Sequence, residues 1–180
     1  MTTEQLEARD RIRSYIQHNA AKEPASIREL VEKGHAQVAG LIDGLSEEQA
    51  TFKPSPDDWS VLEVLHHVVS AKRGVARLCQ RLGRGERVAG FGGEGQEQDG
   101  VTGGRPFATL GEARAAMDAA HRALLDFVDG PIATANVETR FAHFLFGELN
   151  CREWAAFQRV HDGDHAGQIE KVLAAPGFPT

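Results

Sequence analysis

Two histidines four residues apart, His161 and His165, stand in the stretch FQRVHDGDHAGQIEKVL from Phe157 to Leu173. On a helix that spacing projects both imidazoles from one face, a turn apart, where two ring nitrogens can chelate a metal ion. Alone, the pair is as compatible with two boundary residues whose ring nitrogens are hydrogen-bonded, since histidine is intermediate in burial. A third ligand would decide between these readings. The stretch WSVLEVLHHVV offers adjacent histidines, His66 and His67. Neighbours on a helix diverge by about 100°, so the two cannot both face one site easily. Taking Val68 as the direction of the apolar stripe, His67 stands about 100° away, at the flank, and His66 about 160° away. Periodicity therefore predicts His67 reaching inward and His66 in solvent.

Other polar side chains have weaker claims. Asp164 lies three residues after His161 and Gln168 three after His165, so each could orient a ring or a bound water. Asp164 reads more simply as part of a solvated face. Glu63 reads as the cap partner of Ser60. His35 and His121 lie near apolar stripes and could reach the interior, yet neither has a paired ligand on its own helix. Cys151 opens a helix whose dipole could lower its thiol pKa, but it sits roughly 15 Å along the axis from His161 and reads as a small boundary residue. Trp59 and Trp154 read as core anchors.

The elements that would position these groups announce their own starts. A Ser, Thr or Asn with Glu three residues later is a capping box, each side chain satisfying an orphan backbone donor. It occurs at Ser26–Glu29, Ser60–Glu63, Thr109–Glu112 and Asn150–Glu153. Behind each runs an apolar stripe at helical spacing: Leu30, Val31, Val38, Leu41, Ile42 and Leu45; then Val61, Val64, Leu65, Val68, Val75, Leu78 and Leu82; then Ala113, Met117, Ala120, Leu124 and Phe127 or Val128; then Trp154, Phe157, His161, His165, Ile169 and Val172. Alternating runs are nearly absent, which predicts an all-α four-helix bundle. A polar helix near Glu4 to Ala20, within an N-terminal stretch of residues 1–22, has thin apolar content and lies across the bundle or at an interface such as that of a homodimer. Two connections are long. Gly83 to Gly104, part of a loop over 83–106, is rich in glycine and suggests a crossover, a lid or disorder. Gly130 to Leu149 carries Phe141, Phe144 and Phe146, which implies a packed loop.

Composition bounds the function. A chain of 180 residues suggests one domain, 1–180. The formal charge of −6 and the lack of a Lys/Arg run argue against nucleic acid and membrane surfaces as partners. Two cysteines, Cys79 and Cys151, make no disulfide framework and suit a reducing cytoplasm. The charged N-terminus does not read as a signal peptide, and no apolar run approaches a membrane span.

Within this frame WSVLEVLHH, with Trp59, Ser60, Glu63 and His67 spaced W-S-x-x-E-x-x-x-H, resembles the second-helix signature of the DinB-like (YfiT-like) metal-binding four-helix proteins. The spacing H-x-x-x-H-x-x-Q of His161, His165 and Gln168 resembles the other half, and FGELNCREW resembles the family's turn into its last helix. The lead-in LSEEQATFKPSPDDWS is also similar, so the resemblance covers about residues 26 to 176. It implies three metal-ligating histidines, His67, His161 and His165, with no fourth protein ligand. Three protein ligands plus an open position is the arrangement of a catalytic metal, and imidazoles suit Zn²⁺, Ni²⁺, Fe²⁺ or Mn²⁺. The family includes bacillithiol-dependent S-transferases and a mycothiol-dependent isomerase. The resemblance therefore implies a transferase joining a low-molecular-weight thiol to a small electrophile. Alternatives are a metal-dependent hydrolase of a small amide or ester, and a metal-binding stress protein without turnover. Arg73, Arg77 and Arg105 are candidates to meet a thiol's anionic groups. The glycine-rich insert and the N-terminal helix depart from the family pattern.

Overall fold

The computed structural model describes residues 2–89 and 107–180. Among them lie helices α1 (Thr3–Ala20), α2 (Pro24–Ile42), α3 (Glu47–Thr51), α4 (Val61–Gly83), α5 (Leu110–Val128) and α6 (Cys151–Leu173). A 3₁₀ turn (Pro131–Thr134) and an antiparallel hairpin, β1 (Arg140–His143) with β2 (Gly147–Asn150), join α5 to α6. Helices α2, α4, α5 and α6 form a four-helix bundle, with α6 packed on α2 and α4, and α5 on α4 and α2. Helix α1 lies against α6 and buries Ile16, Asn19 and Ala20. Among the described residues no helix is long and apolar enough to cross a membrane.

The core divides at mid-height. One end gathers Val38 and Ile42 from α2, Val61 and Leu65 from α4, Leu110 and Ala113 from α5, and Ile169 and Val172 from α6. The other gathers Ile27, Leu82, Leu124, Phe127 and Trp154. Helices α4 and α5 therefore run parallel, each starting at the same end of the bundle. The glycine-rich stretch is seen only in part: residues 90–104 and Arg105 lie outside the described residues. Between the two apolar clusters runs a polar layer of Lys72 (α4), Asp162 and Gln158 (α6), His35 (α2) and His121 (α5).

Local chemistry sets most helix starts. Ser60 caps α4 and Asn150 caps α6, each in a reciprocal box with the Glu three residues on. Thr109 Oγ1 accepts from Glu112 N, but the Glu112 carboxylate accepts from Ala108 N and the box stays half-made. Ser26 is not a cap. Helix α2 starts at Pro24 behind Glu23, since proline presets the helical φ and lacks only a donor the first turn cannot use. Two elements differ from the sequence expectation because both are too short for a period to show. Helix α3 opens on a Ser46–Gln49 box, and the Gly130–Leu149 loop contains the hairpin. At its tip Phe144 is 89% exposed, touching the core through its stack on the His143 ring, while Phe146 is buried.

Candidate metal centre

Helix α4 presents His67 and helix α6 presents His161 and His165 to one point. His161 Nε2 stands 3.2 Å from His67 Nε2 and 3.2 Å from His165 Nε2. For imidazoles bound tetrahedrally at about 2.0–2.1 Å from one ion, adjacent nitrogens sit about 3.3–3.4 Å apart, so the three rings fit a shared cation. Among the described residues this trio forms the cluster with such spacing.

Proton placement points the same way. His165 Nδ1 donates to Gln168 Oε1 at 2.9 Å, which leaves its Nε2 as a lone pair. His161 Nδ1 is buried and without a hydrogen bond, and it faces Asp162 Oδ1 at 3.9 Å. With its proton on Nδ1, the carboxylate side, a neutral His161 would aim a second lone pair at His165. Lone pairs facing each other at that distance repel unless a proton or cation lies between them. Burial lowers the pKa of His165, and a neutral ring is the form that ligates.

Beneath the trio lies a buried ion pair. Lys72 Nζ donates to Asp162 Oδ2 at 2.6 Å, with the two side chains 1% and 0% exposed. Burial alone would raise the Asp162 carboxyl, but the charge and hydrogen bond of Lys72, with His161 beside it, leave it below its ordinary value. Gly34 of α2 makes the room, for a Cβ there would meet Asp162 Oδ2 at 2.8 Å. On the other side of the layer His35 and His121 stack with ring centroids 3.9 Å apart, and His35 Nε2 meets Asp118 at 3.3 Å. Burial, then His35 and Lys72, push His121 down to about 4.

The remaining candidates separate cleanly. Gln168 orients His165, Glu63 caps α4 and also meets Lys53, and Asp164 is exposed. His66 is not in solvent. It is 5% exposed with its ring edge-on to Phe107, because α4 is covered on more than one side. Trp154 is a core residue, but Trp59 is not: it is 39% exposed and its ring lies 5.6 Å from that of His67. Burial raises the Cys151 thiol and overrides any helix-start effect, and its Sγ donates to Asn136 O. Beside the trio a groove of about 380 Å³ is lined by Asp57, Asp58, Trp59, Val64, Gln168 and Lys171, among others.

Sequence reasoning missed Asp162, Lys72 and His143. Lys72 had a signal, since it occupies the stripe position between Val68 and Val75 where an apolar residue belongs. Asp162 had none, for it follows His161 directly and only packing turns it inward. His143 sits in the hairpin, where Nδ1 accepts from the backbone N–H groups of Leu145 and Phe146, and burial pushes its pKa down to about 4.

Comparison with known proteins adds two findings. The family model described as the DinB superfamily matches residues 30–169. A solved structure, described as the crystal structure of TT2238, a four-helix bundle protein, is similar over 82% of this chain and 98% of that chain. The TM-score is 0.60 at 21% identity, a likeness of fold. Among curated proteins no sequence matches.

Proposed function

This chain belongs to the DinB superfamily, and from that premise we propose that it is a metal-dependent transferase joining a low-molecular-weight thiol to a small electrophile. The observation that carries the reading is the convergence of three imidazole nitrogens, with no fourth protein ligand among the described residues, beside an open groove. A divalent cation held there supplies an open position that favours the deprotonated form of a thiol near pH 7. His67, His161 and His165 hold the cation, and Gln168 keeps the lone pair of His165 directed at it. Trp59 and Val64 give the groove an apolar wall for the electrophile. Lys171 can meet a carboxylate of the thiol, and Asp57 and Asp58 an ammonium group. Arg73 and Arg77 are exposed on α4 and do not line the groove, so Lys171 takes the role they were candidates for.

The test is metal analysis of the purified protein, followed by conjugation of monochlorobimane with several thiols before and after chelation. Conjugation should fall to the uncatalysed rate without metal and return with it. Undiminished conjugation by metal-free protein removes the proposal. Turnover of an ester or amide without any thiol would replace the transferase by a hydrolase.

A further inference from the structure

Two buried polar atoms face each other across the floor of the cluster and neither has a hydrogen bond: His161 Nδ1 and Asp162 Oδ1, 3.9 Å apart. Orphaned polar atoms that deep are uncommon, because each forfeits its water without a replacement. The second oxygen of Asp162 is not orphaned. Lys72 holds it at 2.6 Å from the opposite helix, and Gly34 leaves the space that lets the carboxylate sit there. The pair divides the apolar core into its two clusters, a costly place for charge. An ion pair kept only for stability could be exchanged for apolar packing, whereas this one leaves a carboxylate oxygen turned toward the outer nitrogen of a ring in the trio.

We propose that Asp162, anchored by Lys72, is the positioning residue of the centre. It accepts the Nδ1 proton of His161 when His161 commits its Nε2 lone pair to a cation. This rests on the metal reading of the three histidines and adds to it the group that sets the tautomer and raises the basicity of one ligand. Gln168 does the same for His165 from the solvent side. The two orienting groups differ in charge, so the ligands are unequal: His161 has a carboxylate behind it and His165 an amide. A ligating imidazole backed by a carboxylate is a stronger donor, and loss of such a partner typically weakens metal binding roughly 10- to 100-fold.

The experiment measures Zn²⁺ affinity by competition with a chromophoric chelator, together with the ring N–H resonances of the Zn²⁺-loaded protein. In the native protein His161 should show a slowly exchanging, downfield Nδ1–H on loading. Asp162→Asn should bind Zn²⁺ roughly 10- to 100-fold more weakly and move that resonance upfield, while the His165 ring N–H stays in place. Because Asp162→Asn leaves Lys72 buried without its counter-charge, the double variant Lys72→Met/Asp162→Asn carries the same measurement if the single one does not fold. Unchanged affinity in either folded variant, or a loaded native protein whose His161 proton sits on the cluster side, overturns the proposal while leaving the metal reading intact. A native protein that binds no Zn²⁺ overturns both.

Discussion

At the scale of single residues, His161 separates binding from folding. Its Nε2 lies within 3.2 Å of both other ring nitrogens, so it is the shared vertex of the trio. His161→Ala should weaken Zn²⁺ binding by more than the roughly 10- to 100-fold expected for losing an outer partner. Stability should change by about 1 kcal/mol or less, because the apolar clusters are untouched. Circular dichroism beside a chelator titration checks both halves, and a variant that unfolds would show the ring to be structural. His143 reports on pH. Its folded pKa of about 4 lies below the ordinary value near 6.5, so its contribution is present above about 6.5 and is lost as pH falls toward 4. The loss reaches about 3 kcal/mol, since the protonated ring can no longer accept from Leu145 N and Phe146 N. Urea midpoints at pH 7 and 4.5 should differ more for the native protein than for His143→Asn. An equal difference would assign the acid sensitivity to other groups, of which His121 is the first candidate.

At the scale of elements, the site depends on how closely α2 approaches α6. On an exposed helix Gly→Ala stabilises by about 1 kcal/mol. Gly34 is buried, and an added methyl would press on Asp162 Oδ2 at 2.8 Å and on its Cβ at 3.1 Å. Overpacking costs about 1–3 kcal/mol, so Gly34→Ala should be net destabilising despite its helix propensity. It should also weaken the Lys72–Asp162 pair. A rise in thermal midpoint would mean that α2 moves aside freely. The start of α6 makes the opposite case, for there a local rule decides. Asn150 accepts from Arg152 N and Glu153 N while Glu153 accepts from Asn150 N, and the same residue ends β2. Asn150→Ala should cost about 1 kcal/mol, read from a urea titration, and should leave Zn²⁺ affinity unchanged because the cap lies far along the axis from the histidines.

At the scale of the whole molecule, one polar layer links stability to the site. Removing one partner of a buried pair costs about 3–5 kcal/mol, a large share of the about 5–15 kcal/mol that holds a domain folded. Lys72→Met should therefore lower the unfolding midpoint sharply, and Lys72→Met/Asp162→Asn should recover much of the loss. A double variant no better than the single would mean the pair is not an energetic unit. Cation binding acts on the same equilibrium. At a hundred times its Kd a ligand specific to the folded state adds about 2.7 kcal/mol, which for a chain this size raises the thermal midpoint by roughly 5–10 °C. No shift with Zn²⁺, Ni²⁺ or Mn²⁺ would count against a metal centre of any kind.

The sequence by itself determined whatever is local and periodic. The apolar stripes of α4, α5 and α6 give the bundle its helices because burial follows the 3.6-residue repeat. The boxes at Ser60 and Asn150 mark helix starts because a cap needs only residues three apart. The i, i+4 spacing of His161 and His165 follows from angles on a single helix, whereas the angle argument that set His67 inward and His66 in solvent failed for His66. Tertiary structure decided the rest. His66 is buried with its ring edge against Phe107, and Trp59, just before α4, lines the groove with Gln168 and Lys171 of α6. Asp162 faces inward because Lys72 comes from another helix and Gly34 from a third. Stripe and cap depend on residues a few positions apart, whereas the Lys72–Asp162 pair joins residues 90 positions apart that only packing brings together.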